Sequence, residues 1–353
     1  MLKFFSRLLI SAFAFGVAIL IGEFVLRLLP SGSQAKYNSL FVYHDGYFTL
    51  NPNSSVTVDG IDYTINSDGL RDTVMPQPSE QNIERIAFLG DSITFGYGLA
   101  LDTSYSKQLA SQLRLRFPER EFEAINLGVS GLNTIGEIQR YIEKASKYSP
   151  QYVVLEMLLD DFIYPQHQQE SVNIGVLGAI KEFAKVNLFA TYFRLKGALN
   201  RAELVKQYPQ ATDLFGYINQ IYRDEGAQLE ATRAALLELQ GLTQSRNQAL
   251  LVVLFPYLIG QPANYPVKDL NDQWREFFTA NGIVFVDLLE LLPAADMANI
   301  RLEESDSVHP NSRGSFEIAK LLAALPFWDE KASSPPEPMP AQGRESHNPT
   351  EPR

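Results

Sequence analysis

Gly90-Asp91-Ser92 ends an apolar run, Ile86-Ala87-Phe88-Leu89, and far downstream stands Asp306-Ser307-Val308-His309. A serine hydroxyl is a poor nucleophile until a base removes its proton, and an imidazole, which titrates near neutrality, suits that work. A carboxylate on the second ring nitrogen fixes the tautomer and stabilises the imidazolium that forms. A spacing of three lets one loop turn the side chains of Asp306 and His309 toward a common point. These residue types could carry acyl transfer through an acyl-enzyme, with Ser92 as nucleophile, His309 as base and Asp306 orienting it. Taken singly, each segment also has a plain reading, a strand-to-loop turn and a surface histidine. The pair is more specific, because the chain has only four histidines. His347 falls in a Pro-rich tail, and His44 and His167 fall outside strand-end positions. Cysteine is absent, which excludes a thiol nucleophile, thiolate metal sites and a disulfide framework. No Gly-Lys-Ser/Thr follows Gly90, so the turn is not a phosphate loop.

A serine placed this way needs a strand behind it, since open α/β sheets carry their ligands at the carboxyl ends of their strands. The sequence supplies the alternation. Ile86–Leu89 reads as the first strand and Thr103–Phe117 as a helix with Thr103 as N-cap. Phe122–Ile125 is the second strand, Thr134–Tyr148 the second helix, and Tyr152–Leu155 a third strand, nearly all apolar, as a strand covered on both faces should be. The pattern then breaks, with helical stretches at Val176–Leu199 and Glu225–Leu242. It resumes with strand Leu250–Phe255, helix Leu270–Ala280, strand Ile283–Val286 and a closing helix Ser312–Leu325. Strands alternating with helices predict a parallel sheet joined by right-handed crossovers. Upstream, residues 31–83 read as loops and short strands, with a hairpin of Val56-Thr57-Val58 and Tyr63-Thr64-Ile65 about an Asp59-Gly60 turn. Residues 326–353 are rich in Pro, Glu and Ser and read as a disordered tail.

At 353 residues the chain can bury a full core, and its net charge of −11 argues against nucleic acid as a partner. Residues 1–30 stand apart from that core. Lys3 and Arg7 precede an uncharged run from Leu8 to Gly22, and counting back to Phe4 gives about 19 residues, enough to span a bilayer if Arg7 snorkels. A cleaved signal peptide and a buried helix are the rival readings. Ala12-Phe13-Ala14 has the form of a cleavage site but lies inside the apolar run. The basic residues on the short side predict a single anchor in the inner (cell) membrane with the rest exported to the periplasmic side, or secreted if residues 1–30 are removed.

Together these segments resemble the SGNH (GDSL-type) hydrolase family. Phe88-Leu89-Gly90-Asp91-Ser92-Ile93-Thr94-Phe95-Gly96 is similar to its first block, and Asn126-Leu127-Gly128-Val129-Ser130-Gly131 to its second. Val153 to Asp161 corresponds to the third block, and Asp306 to His309 to the last. The likeness covers residues 84–162 and 249–325 in the family's order. Tyr63-Thr64-Ile65-Asn66-Ser67-Asp68-Gly69-Leu70-Arg71 also resembles an extension found upstream of the serine block in membrane-associated bacterial relatives. The resemblance implies a three-layer α/β/α sandwich around a five-stranded parallel sheet, flavodoxin-like, spanning 84–325 with a helical insertion at 162–248. It implies a serine esterase with Ser92, Asp306 and His309 as catalytic residues and an oxyanion hole of Ser92, Gly131 and the third-block position, Asp160. No cofactor and no metal is expected. The paired acids Asp160-Asp161 and Glu303-Glu304 lack a matching histidine cluster.

One departure bears on the chemistry. The family's third block reads Gly-x-Asn-Asp, with the asparagine amide donating to the oxyanion; here Leu158 and Asp160 stand at the glycine and asparagine positions. An ionised carboxylate only accepts hydrogen bonds. Burial could keep Asp160 protonated, Asn133 could substitute as donor, or catalysis could be slow or absent. Aromatic residues of the insertion, including Phe162, Phe215 and Tyr222, read as the core of a helical subdomain before they read as a substrate groove. The expected substrate is an ester-bearing small molecule or an acylated glycan, with acetyl esters of a cell-surface polysaccharide the specific reading. Acyl transfer to a glycan with the same residues, and a disabled carbohydrate-binding or assembly protein of the same fold, are the alternatives.

Overall fold

The computed structural model describes residues 33–44, 47–73, 83–162, 214–224, 226–259, 265–293, 297 and 299–329. The expected N-terminal anchor, helix Val176–Leu199 and the tail from residue 330 on lie outside the described residues. The first residues of the expected tail are instead ordered: Pro326–Trp328 forms a 3-10 turn, and Trp328 is fully buried with its Nε1 donating to the Leu322 carbonyl at 2.8 Å. Among the described residues no helix is long and apolar enough to cross a membrane.

Two hairpins precede the main sheet. Strands β1 (Phe41–His44) and β2 (Tyr47–Leu50) pair antiparallel, as do β3 (Ser55–Val58) and β4 (Ile61–Thr64). Val58 pairs with Ile61, so the second hairpin turns on Asp59 and Gly60 alone, both at positive φ (50° and 81°). That is the geometry an Asp-Gly two-residue turn favours.

The main sheet has five parallel strands: β5 (Ile83–Leu89), β6 (Glu121–Asn126), β7 (Tyr152–Met157), β8 (Ala249–Leu254) and β9 (Phe285–Asp287), in the order β6-β5-β7-β8-β9. Its central strands are apolar runs buried on both faces, with Phe88, Val154 and Val252 fully covered. From β5 the chain steps to one side, to β6, and then back across to β7. Right-handed crossovers in opposite directions place their helices on opposite faces. Helix Tyr105–Arg116 packs with the last helix, Ser312–Ala323, and Thr134–Lys144 packs with Gly226–Ser245, giving the expected three layers. The reversal at β5 and β7 opens a crevice at their carboxyl ends, where such sheets hold ligands.

Several helix boundaries differ from the sequence reading, two of them for a visible local reason. Thr103 is not an N-cap: Leu101–Thr103 forms a 3-10 turn, Thr103 Oγ1 bonds back to the Ala100 carbonyl, and the helix begins at Tyr105. The helix expected to run to Tyr148 ends at Lys144 and tightens into a 3-10 turn over Ala145–Tyr148. Ser149, ahead of Pro150, sits at φ 48°, outside the helical region that a residue before proline avoids.

Candidate active site

The nucleophile turn is built from the end of β5. Gly90 has φ 155°, and a Cβ there would lie 2.1 Å from Thr94 Oγ1 and 2.3 Å from Glu156 Oε2, so only glycine fits. Asp91 caps the four-residue helix Ser92–Phe95, its Oδ1 accepting the Ile93 N–H at 2.9 Å. Beneath it, Glu156 Oε2 accepts the Asp91 N–H at 3.2 Å and the Thr94 hydroxyl at 3.1 Å. Ser92 thereby occupies the first position of a helix at the carboxyl edge of the sheet.

The second loop is tied to this turn. Asn126 Nδ2 donates to the Thr94 carbonyl at 2.9 Å, and the Val129 N–H donates to the Gly90 carbonyl at 3.2 Å. A Cβ at Gly128 would lie 2.3 Å from the Phe95 nitrogen, which is how close the two segments run. Gly131 has φ 76° with open space where a Cβ would stand. Its glycine is therefore required by backbone conformation rather than by crowding.

Asp306 and His309 come to Ser92 from the other end of the chain. Asp306 Oδ1 accepts the N–H groups of Val308 and His309, both at 2.9 Å, which curls the loop and explains the spacing of three. The loop is anchored on both sides: Leu258 N–H bonds the Ser307 carbonyl and Leu302 N–H the His309 carbonyl. Asp306 Oδ2 then meets His309 Nδ1 at 2.8 Å, and His309 Nε2 meets Ser92 Oγ at 2.7 Å. Burial pushes the Asp306 carboxyl upward, but the hydrogen bonds from the His309 ring and backbone outweigh it and leave the group below its ordinary value. An ionised Asp306 holds the proton on Nδ1, so this network assigns Nε2 as the acceptor for the serine proton. Ser92 Oγ also lies 3.1 Å from Asp91 Oδ2, a longer contact than the one to the imidazole. The ring of Tyr97, half-buried, lies 4.9 Å from that of His309.

Sequence reasoning therefore named three residues that the fold brings into direct contact, Ser92, His309 and Asp306. Gly131 and Asp160 follow the neighbouring strands β6 and β7 at the same edge of the sheet. Asp160 is half-buried, and its Oδ1 accepts the Tyr257 hydroxyl at 2.7 Å. Burial, and less strongly the charge of Asp91, push its pKa up, while the Tyr257 hydrogen bond pulls the other way. Asn133, the alternative donor, is buried as the N-cap of helix Thr134–Lys144, with its Oδ1 on the Gly136 N–H. Among the insertion aromatics that are described, Phe162 packs edge-to-face on Tyr222 and Phe215 on Tyr257, as core.

Three contributors escaped the sequence reading. Tyr257 follows Pro256 at the end of β8, a strand-end position that could have drawn attention to it. Glu156 lies within β7, inside the third block but at none of the positions to which that block assigns a role. Tyr97 follows the nucleophile helix and stands just beyond the first block. Around them sits an unusual group of buried acids, Asp91, Glu137, Glu156 and Asp161, each with its pKa pushed up chiefly by burial. No group of acids and histidines able to hold a metal ion occurs among the described residues. A cavity of about 220 Å³ beside Asn271 and Asp287 contains none of the residues above, and its charges pair among themselves, Lys268 with Asp272 and Arg275 with Glu290.

Residues 88–315 match the profile of the GDSL-like lipase/acylhydrolase family. Among solved structures the chain is similar to Axe2, an acetylxylan esterase from Geobacillus stearothermophilus, at 17% identity over 69% of this chain and 95% of that one, with a TM-score of 0.39. It is also similar to the lipase/acylhydrolase from Enterococcus faecalis, at 17% identity over 68% of this chain and 93% of that one, with a TM-score of 0.37. No curated protein matches the chain.

Proposed function

We propose that this chain, which belongs to the GDSL-like lipase/acylhydrolase family and is an ester hydrolase, works through an acyl-enzyme on Ser92. The observation that carries this reading is the unbroken line Ser92 Oγ–His309 Nε2 at 2.7 Å and His309 Nδ1–Asp306 Oδ2 at 2.8 Å. Ser92 Oγ attacks the acyl carbon as His309 Nε2 takes its proton, and Asp306 stabilises the imidazolium. The backbone N–H groups of Ser92 and Gly131 receive the oxyanion, and Asp160 supports them as a neutral acid that donates its proton. The intermediate collapses, the C–O bond to the alcohol breaks, and His309 returns the proton to the leaving oxygen. Water, deprotonated by His309, then attacks the acyl-serine by the same route and releases the carboxylic acid.

For the substrate we propose acetyl esters on a surface polysaccharide. The Tyr97 ring beside His309 supports this, since an aromatic face in that position suits the apolar face of a sugar. So does the N-terminal segment, whose Lys3 and Arg7 favour export of the remainder behind an anchor. Protease added outside sealed spheroplasts should digest the domain while leaving a cytoplasmic marker intact.

The test is Ser92→Ala in the full chain, assayed on p-nitrophenyl acetate and on acetylated oligosaccharides with and without an acceptor glycan. Turnover should fall on the order of 10⁴-fold or more, and an organophosphonate should label the wild-type chain at Ser92 alone. Activity that survives the substitution would remove the assignment, and acylated acceptor as the main product would turn the hydrolase reading into a transferase.

A further inference from the structure

Residues 33–73 lie outside the five-stranded domain, yet they share a core with its active-site loops. Tyr37, Leu50 and Tyr63 pack in one cluster with Phe95, at the end of the nucleophile helix, and with Val129 and Leu132, which bracket Gly131. Tyr37 reaches the second loop directly, its hydroxyl 2.6 Å from Ser130 Oγ.

Within this contact Arg71 is a buried cation, only 1% exposed, that makes no ion pair with a carboxylate among the described residues. Its Nη1 donates to the carbonyls of Phe95 at 2.9 Å and Gly96 at 2.6 Å, and its Nη2 donates to that of Leu99 at 2.6 Å. The guanidinium lies 4.2 Å from the centre of the Tyr63 ring and 5.1 Å from that of Phe95. Tyr63 adds a second tether, its hydroxyl accepting the Gly98 N–H at 2.8 Å.

The carbonyls so engaged belong to the end of helix Ser92–Phe95 and the turn that follows. A helix of one turn does not hold itself, and its last carbonyls need donors from elsewhere. A planar fork of donors can serve three of them in one fixed geometry, which an ammonium cannot. Gly96, at φ 82°, completes the fit, since a Cβ there would lie 3.0 Å from Arg71 Nη1.

We infer that Arg71 is a positioning residue for Ser92: by clamping the carbonyls of residues 95, 96 and 99 it fixes the helix that carries the nucleophile, and the 33–73 segment is a working part of the active site. The inference rests on Ser92 as nucleophile. The bond from Ser92 to His309 joins loops from opposite ends of the domain, and a misplacement of about 1 Å is enough to cost roughly 100-fold in rate.

Arg71→Lys and Arg71→Met in the full chain test it, with Tyr63→Phe as the milder variant should both prove unstable. The expected result is a kcat lowered by roughly 10- to 100-fold in Arg71→Met and less in Arg71→Lys, with KM within about twofold and phosphonate labelling of Ser92 slowed in step. Hydrogen exchange at the amides of residues 95–99 should quicken while that of β8 stays as in the wild type. Folded variants with wild-type kcat and labelling, or with a change in KM alone, overturn the inference. A wild-type chain inert to the phosphonate strikes Ser92 as nucleophile instead; exchange at 95–99 then decides the clamp alone, and unchanged protection in Arg71→Met overturns it.

Discussion

The Tyr257 hydroxyl donates to Asp160 Oδ1 across 2.7 Å, so one oxygen of this carboxyl is occupied by a donor and a proton on the group would sit on the other. Burial raises the Asp160 pKa above its ordinary value. If the neutral acid is the third oxyanion donor, raising the pH through that pKa removes a donor and sets a negative charge beside the developing one. The wild-type kcat/KM should therefore fall as pH rises through that raised pKa, by about 10²–10³ once the group is ionised. Asp160→Asn keeps a donor at every pH and should abolish that fall. Profiles on p-nitrophenyl acetate, corrected for hydrolysis by hydroxide, make the comparison, and superimposable curves for the two proteins would exclude Asp160 from the oxyanion hole.

Tyr257→Phe tests the same relationship from the opposite side. The Tyr257 hydrogen bond favours the ionised carboxylate, so its loss should raise the Asp160 pKa further. The descending limb of the profile should move to higher pH while the plateau stays within about threefold. Movement of the limb toward lower pH would contradict this assignment.

Asp306→Asn should lower kcat on the order of 10⁴-fold with little change in fold. An asparagine oxygen can still accept the N–H groups of Val308 and His309, so the loop should keep its shape. The carboxylate that holds the proton on His309 Nδ1 is gone, however, and an amide facing Nδ1 permits the wrong tautomer. Kinetics alongside circular dichroism and a thermal melt separate this from unfolding, and a loss of less than tenfold would show that Asp306 does not orient the base.

The parts of the site that were legible in the sequence are those made by short loops. Gly90-Asp91-Ser92 and Asp306-to-His309 each fold on their own hydrogen bonds, the Asp91 cap on Ile93 and the Asp306 carboxylate on Val308 and His309, so the pattern of letters carries the geometry. The central strands were legible because strands buried on both faces are nearly continuous apolar runs, as Val153–Leu155 and Leu251–Leu254 are. Contacts that join distant segments were not. Tyr257 meets Asp160 and Arg71 meets Phe95 across long stretches of chain; Tyr257 belongs to no local pattern, and the Tyr63–Arg71 segment, though recognisable, does not say what its arginine touches. Glu156 was hidden for a related reason, as a single acid inside an otherwise apolar strand.

The buried acids beneath the nucleophile turn make stability depend on pH in a direction opposite to that of salt-bridged carboxylates. Glu137 is 1% exposed, and neither of its carboxyl oxygens is hydrogen-bonded among the described residues. Burial first, and then the charges of Glu156 and Asp91, hold its pKa well above the ordinary value of 4.5. The folded state therefore keeps a proton that the unfolded chain releases. Its contribution is fully present below the unfolded value and is lost as pH rises from there through the folded value. Glu156 and Asp161 act in the same sense. The wild-type melting temperature should accordingly fall as pH rises from about 4.5 through the raised folded values. Glu137→Gln, which cannot ionise, should melt higher than the wild type at the alkaline end, by a few degrees, since one kcal/mol is worth roughly 2–4 °C in a domain of this size. At acid pH, where the wild-type glutamate is already neutral, the two should converge. Melts of both proteins across that range decide it: a wild-type curve that rises with pH, or a variant that is less stable at the alkaline end, would mean that Glu137 is ionised and held by a cation.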